Sequence, residues 1–417
     1  MRSVYVAGGV HTPFIGKFHP DFIWKKHPDF GRKENPDTEG YLRIVGQAIA
    51  QEFGIDGSEF QRAYVGNFVG ELFDNQGHLG AMVAATMPGL SGIPIARLEG
   101  ACASGGLAIA AGVDAIRAGA DLVYVVGAEV QTTRNAMEGA DFLARASHYK
   151  RQREIDPFTF PALFAARIRD VVGGTEMTLD DLALASVKAY ANANRNPFAH
   201  MHTVKMPYEK ASTAGPGNPN FLSNESLNPW MRISDCSQVS DGASAMILAS
   251  SVGLETLGRE VRDTIEILAC VGATASIAED ADPLRLSNIA HAAHGAYAAA
   301  GISPKDIDVA EVHDCFTVAE ILSYEALGFA EEGQGARLLR DGETAIDGRL
   351  PVNTGGGLVG FGHPVGATGV KQALEIWRQS KGVCGAYQIG KTPRFGISAN
   401  MGGDDRTAVV TIYQNHG

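Results

Sequence analysis

The sequence is short of positive charge, poor in cysteine and without a long apolar run. Against 47 acidic residues stand 35 basic ones, for a formal net charge of −12. That balance argues against a nucleic-acid binder, which needs a basic footprint, although a local basic patch for a phosphate-bearing ligand stays open. Five cysteines scattered over 417 residues do not make a disulfide framework. They read as reduced thiols, so the expected compartment is the cytoplasm. No apolar stretch reaches the roughly 18 residues that a membrane span takes. The opening MRSVYVAGGVHTPF reads as strand and turn, not as a charged leader with an apolar core.

Glycine is in excess. The chain has 50, and they gather in GACASGG and NTGGGLVGFGHPVGATG; turns of this kind at strand ends let a backbone approach a ligand. Strand-like runs at 4–9, 63–68, 122–129, 245–250, 265–273, 309–314, 394–400 and 407–413 alternate with helical patterns. The alternation predicts a largely parallel α/β sheet covered on both faces. Residues 101–119 and 362–382 are the same kind of object, a Gly-rich turn running into a helix. In the second, Val370, Leu374 and Trp377 share one helix face, and Pro364 takes the first helical position. A duplicated plan follows: residues 1–129, completed by 236–258, form one half, and residues 259–417 the other. Residues 130–235, charged and then rich in Pro and Asn, read as an inserted loop domain. A second polar and aromatic insertion spans residues 16–40.

Each half thus offers a helix N-terminus with a reactive side chain beside it. A free cysteine is usually a small buried hydrophobe. Cys102, flanked by small residues and followed by a helix, has amides and a dipole at hand to stabilise a thiolate or an oxyanion. Ser104 stands where the G-x-C-x-G elbow has its last glycine. His363 is held in a tight Gly-rich backbone, where a neutral imidazole can take a thiol proton. GGGLVG (355–360) matches G-x-G-x-x-G, but a further Gly-rich turn and a proline follow where the dinucleotide fingerprint starts its helix. In EVHDCFTVAE (311–320), an extended backbone points His313 and Cys315 to one side and Asp314 to the other. Together with His291 and His294 of HAAH they could in principle bind zinc, but the paired-cysteine spacing of such sites is missing, so no metal is expected.

Four segments in this order, ACASGG, SQVSDGASAMILAS, EVHDCFTVAEILSYEALG and NTGGGLVGFGHPVGATG, resemble the thiolases, most closely those of the sterol-carrier-protein type. The resemblance implies a five-layered α/β/α/β/α fold made of two similar halves plus a loop domain. It implies an acyltransferase of lipid metabolism, in fatty acid or sterol degradation. The reaction would be CoA-dependent thiolysis of a 3-oxoacyl-CoA, or the reverse Claisen condensation. Coenzyme A and acyl-CoA are then substrates, no cofactor is bound covalently, and the assembly is a homodimer or homotetramer, with an accessory protein as a further possible partner.

Residue by residue, Cys102 is then the acylated nucleophile and His363 its activator. His313 stands where many thiolases have the Asn of an NEAF motif, and shares an oxyanion hole with His363. Most thiolases carry a second catalytic cysteine in a C-x-G turn. Here that segment reads GISANMGG, with Ser398 aligned to the missing cysteine, and Cys315 takes over the acid/base role. The backbone amides of Cys102 and Asn400 form a second oxyanion hole. Two other classes stay in view: a thiolase-fold aldolase acting on a sterol side-chain CoA ester with a partner protein, and a non-catalytic acyl-CoA or lipid-binding protein. Neither needs an intact Cys102–His363–Cys315 set.

Overall fold

Apolar residues that alternate between two faces decide how this chain stacks into layers. The computed structural model describes residues 2–417 and contains nine strands among them. They are β1 (Tyr5–His11), β2 (Arg62–Gly66), β3 (Ile95–Leu98), β4 (Leu122–Glu129), β5 (Gly242–Ala249), β6 (Ile265–Thr274), β7 (Val309–Glu311), β8 (Phe395–Gly402) and β9 (Thr407–Asn415). Seven helices reach ten residues: α1 (Thr38–Phe53), α2 (Ser104–Arg117), α3 (Thr159–Gly174), α4 (Leu179–Ala193), α5 (Ser287–Ala300), α6 (Thr317–Ala326) and α7 (Val365–Ser380). The strands lie in the order β3-β2-β4-β5-β1-β6-β9-β8-β7. β1 meets β6 through only two residue pairs, Tyr5 with Glu266 and Val6 with Ile265, so the order divides there into two half-sheets.

Strand β4 shows how the layers are made. Val123 and Val125 pack with Ile109 and Val113 of α2 and Val370 and Leu374 of α7. The alternate residues Tyr124, Val126 and Ala128 pack with Tyr41, Val45 and Ile49 of α1. In the other half, Ile397 and Ala399 of β8 and Val410 and Ile412 of β9 pack with Ile289, Ala292 and Ala296 of α5, while Tyr413 turns into the central cluster. Each fully buried Val or Leu contributes about 1.5–3 kcal/mol. The result is helix, half-sheet, central helix pair, half-sheet, helix: the expected five layers.

The expectation of a largely parallel sheet is corrected. Only β2–β3, β2–β4 and β7–β8 are parallel; β1–β5, β1–β6, β4–β5, β6–β9 and β8–β9 are antiparallel. Burial on both faces makes strands read as continuous apolar runs, the habit of parallel sheets, but here it comes from sharing the central helix pair. β3 was not among the expected strands; it has only four residues, none of them fully buried. The stretch 130–235 holds the long helices α3 and α4 as well as loops. Pro364 caps α7 from outside, at φ −65° and ψ 109°, instead of opening it. Among the described residues no helix is long and apolar enough to cross a membrane.

Where α2 and α7 cross, backbone lies on backbone. A Cβ on Gly105 would stand 2.9 Å from Gly366 O and Gly369 N, and one on Gly369 would stand 2.4 Å from Gly106 N. On Gly366 it would stand 2.5 Å from Gly66 O. We expect Gly369→Ala to lower stability by about 1–3 kcal/mol through overpacking. Gly173→Ala, with open space around it on the exposed side of α3, should instead raise stability by about 0.5–1 kcal/mol. Denaturant midpoints of the two variants check both signs.

Candidate active site

The turn that carries Cys102 is wound tightly just ahead of α2. Ala103 N donates to Gly100 O at 3.0 Å and Ser104 N to Ala101 O at 3.1 Å. Ala101 takes the left-handed region at φ 51°, a conformation that costs a non-glycine residue of order 1–3 kcal/mol. Ser104 closes the turn: its hydroxyl accepts from Gly100 N at 3.1 Å and donates to Ala101 O at 2.6 Å. The serine that breaks the G-x-C-x-G pattern therefore has a local role.

His363 is held from three sides. Its N–H donates to Ser240 Oγ at 3.2 Å, its carbonyl accepts from Gln131 Nε2 at 2.8 Å, and its Nδ1 lies 2.7 Å from Thr368 Oγ1. The Thr368 hydroxyl donates to Pro364 O at 3.0 Å, so toward His363 it accepts. That arrangement favours the imidazole proton on Nδ1 with Nε2 bare. That Nε2 is buried without a partner.

The structure brings Cys102, His313 and His363 together: their donor atoms lie within 4.8 Å of one another, and the two imidazoles meet edge to face with centroids 5.0 Å apart. A metal ion could use the same spacing. His291 and His294 lie exposed on α5 and do not join the group. A pocket of about 110 Å³ opens over Cys102, walled also by Cys315, His363, Gly403, Phe160 and Phe316 among others. Asp314 points away, as alternation predicts, and accepts from Leu358 N at 2.7 Å and Val359 N at 3.3 Å. A Cβ on Gly357 would strike that carboxylate at 2.2 Å. The G-x-G-x-x-G match is thus a seat for Asp314.

The segment Asn400–Asp405 borders the site. Asn400 reaches the site through its side chain: Oδ1 accepts from Gly106 N at 3.0 Å, and Nδ2 lies 3.0 Å from Cys102 O and 3.1 Å from His313 Nδ1. The backbone amides that favour a charged Cys102 sulfur are those of Gly403 and of Cys102 itself. Two acids pin that turn. Asp404 accepts from Arg167 Nη2 at 2.7 Å, and Asp405 accepts from Asn288 N at 2.7 Å at the start of α5. Ser398 pairs its hydroxyl with Tyr413 Oη at 2.9 Å and is not among the residues that wall the pocket.

The electrostatics overturn one sequence argument. The amides of α2 were expected to favour a thiolate on Cys102. Burial instead pushes its thiol up to about 12, aided by the charges of Glu129 and Glu99, with Gly403 N–H pulling the other way. Burial holds His363 down at about 3. It also holds His313 well below the ordinary imidazole value, with His363 adding to the effect. Cys315 is pushed well up by burial first, then by Cys102 and Asp314. The resting site is a neutral thiol among neutral imidazoles, because loss of water outweighs the helix dipole.

Glu129 is a site residue that the sequence reading missed. Fully buried at the end of β4, it accepts from Phe68 N at 2.8 Å, Val69 N at 3.2 Å and Gly366 N at 3.1 Å, and so ties the N-terminus of α7 to the first half-sheet. Burial raises its carboxyl to about 7 against those hydrogen bonds. An acid closing the otherwise apolar run LVYVVGAE was the available signal.

Residues 31–252 match the thiolase N-terminal domain and residues 271–415 the thiolase C-terminal domain-like family. The chain belongs to the thiolase family. It is 36% identical to an acetyl-CoA acetyltransferase of Methanothermobacter thermautotrophicus over 88% of this chain and 92% of that one. It is 29% identical to sterol carrier protein 2 of Oryctolagus cuniculus over 78% of this chain and 59% of the rabbit protein. Among solved structures, an Ltp2–ChsH2(DUF35) aldolase aligns with TM-score 0.78 at 18% identity, covering 99% of this chain and 98% of that one. The Acat5 thiolase of Ascaris suum in complex with coenzyme A aligns with TM-score 0.68 at 15% identity, covering 99% of this chain and 100% of that one. At such identities the two structures speak for the fold alone.

In this thiolase the resting thiol has a consequence for reagents. Alkylation of Cys102 by iodoacetamide should be slow at neutral pH and climb steadily as pH rises toward about 10, because thiolate is the nucleophile. A rate that levels off near pH 6–7 would show an ion pair with His363 instead. Mass-resolved labelling against Cys102→Ser separates this cysteine from the other four.

Proposed function

We propose that this thiolase cleaves a 3-oxoacyl-CoA with coenzyme A, or runs the reverse Claisen condensation, through an acyl group carried on Cys102. The observation that carries the reading is one apolar pocket lined by two thiols, Cys102 and Cys315, and by His363, whose Nε2 has no hydrogen-bond partner. His363 takes the Cys102 proton as the sulfur attacks the keto carbon. The bond between the α and keto carbons breaks, its electron pair passes into the thioester enolate, and Cys315 delivers its proton to the α carbon. Acetyl-CoA or a longer acyl-CoA leaves. The proton on His363 then passes to the Cys315 thiolate, which restores both groups. In the second half His363 takes the thiol proton of coenzyme A, the new thiolate attacks the acyl-cysteine, and the departing Cys102 sulfur recovers the proton.

Charge appears on two different oxygens in this sequence, and each needs donors placed in advance. The amides of Cys102 and Gly403 are suited to the oxygen on the carbon under attack by sulfur. The imidazoles of His313 and His363 are suited to the enolate oxygen. A raised Cys315 pKa supports the acid role, since the thiol keeps its proton until a far more basic carbanion forms. The fold likeness to an aldolase makes retro-aldol cleavage the rival reading, and that chemistry needs no acyl-cysteine.

Incubation with acetyl-CoA or acetoacetyl-CoA followed by intact-mass measurement should reveal an acetyl adduct on the wild-type chain and none on Cys102→Ala. Absence of the adduct, or its persistence in Cys102→Ala, refutes the acyl-transfer reading. Cys315→Ala should still acylate but lose exchange of the α-protons of acetyl-CoA with D2O by about 10²-fold or more, the usual contribution of a positioned acid or base. Exchange at the wild-type rate would move that role to another residue.

A further inference from the structure

We infer that the side chain of Asn400 is a positioning residue that fixes the proton of His313 on Nε2, so that of two adjoining histidines one is built as a donor and the other as a base. The inference rests on the acyl-transfer reading above and adds to it the division of labour between the two rings.

The reasoning is a count of hydrogens. A carboxamide has an accepting end and a donating end, and only its neighbours tell which is which. At Asn400 the neighbour that decides is Gly106. Its N–H lies in the first turn of α2, where backbone donors have no partner within the helix, and Ala103 at the cap has no side-chain acceptor to offer. Gly106 N donates to Asn400 at 3.0 Å. An N–H cannot donate to an NH2 group, so the amide oxygen is at that end. The NH2 group therefore faces Cys102 O at 3.0 Å and His313 Nδ1 at 3.1 Å, which uses both of its hydrogens.

A ring nitrogen that receives an N–H must be bare. A neutral His313 consequently carries its hydrogen on Nε2, and this atom is buried with no partner of its own. Thr368, with its hydroxyl donating to Pro364 O at 3.0 Å, favours the opposite arrangement on His363, with the hydrogen on Nδ1 and Nε2 bare. Two rings 5.0 Å apart thus carry one unpartnered N–H and one unpartnered lone pair. His313 can stabilise a negative oxygen from the start of the reaction but cannot take the Cys102 proton. His363 can take that proton, and only then becomes a donor. The same arrangement disfavours a metal ion among Cys102, His313 and His363, because His313 would have to coordinate through a nitrogen that carries hydrogen. Asn400 also holds the Cys102 carbonyl and the start of α2, so nucleophile and donor shift together.

The test reads the hydrogens directly. In enzyme labelled with ¹⁵N-histidine, long-range ¹H–¹⁵N spectra distinguish a bare ring nitrogen from a protonated one, and loss of a signal set in His313→Gln identifies His313. The expected pattern is bare Nδ1 with protonated Nε2 for His313 and the reverse for His363, identified likewise from His363→Gln. The same tautomer on both rings, or a rapidly exchanging mixture at His313, would overturn the inference. Asn400→Asp turns the donating end into an acceptor at constant size. It should draw the His313 proton to Nδ1 and lower kcat by about 10²–10³-fold, the cost of losing one oxyanion donor, with KM little changed. An unchanged His313 pattern or an unchanged kcat in that variant would also overturn it. Failure of the acyl-transfer reading itself would appear separately, as a missing adduct on the wild-type chain whatever the tautomers. The wild-type spectrum decides the matter even where Asn400→Asp does not fold.

Discussion

The crossing of α2 and α7, glycine against glycine, is the contact on which the site depends. Cys102 lies two residues before α2 and His363 two residues before α7. The separation of Cys102 and His363 is therefore tied to how closely the two helices approach, and Gly105 and Gly369 leave no room for a Cβ between them, while Gly106 and Gly366 are hemmed in by the strands beside the crossing. Glycine within a helix costs about 0.5–1 kcal/mol relative to alanine. The central cluster of Val, Ile and Leu from both half-sheets offsets that cost. A duplicated fold is well suited to the task, because each half delivers the N-terminus of one helix to the same place.

Charge is handled by turning it away from the chemistry. Glu129 and Asp314 are buried acids near the pocket, and both spend their oxygens on backbone N–H groups that would otherwise lack partners. Asp241 does the same for Gln131 N at 2.7 Å and Thr132 N at 3.0 Å. Gln131 in turn holds His363 O. The acids thus act as struts for the loops that bear the reacting groups. What faces the substrate is neutral, and a neutral apolar pocket strengthens each hydrogen bond made to a developing oxyanion.

Much of this was legible in the sequence, and the reasons for what was not are physical. The two Gly-rich turns, the helices behind them and the alternation of His313, Asp314 and Cys315 are local patterns, and local patterns survive into the fold. Strand direction was misread because residues buried on both faces look alike in parallel and antiparallel strands. How far loss of water opposes the helix dipole at Cys102 is not legible in sequence, because a helix N-terminus is a local pattern while burial is set by the whole fold. The side-chain contacts of Asn400 were not legible, because its amide meets His313 and Gly106, 87 and 294 residues away. Glu129 was passed over because its partners lie at Phe68, Val69 and Gly366, in segments that only the folded chain brings near.

The nucleophile lies in the first quarter of the chain, the second thiol about three quarters along, and the base, at residue 363, beyond both. During synthesis the ribosome releases the Cys102 turn long before α7 exists to be laid across α2. A half-made chain holds a cysteine with no partner to take its proton and no Asn400 to hold its carbonyl. Cys102, His313 and His363 can therefore meet in their final arrangement only after residue 400 has been made.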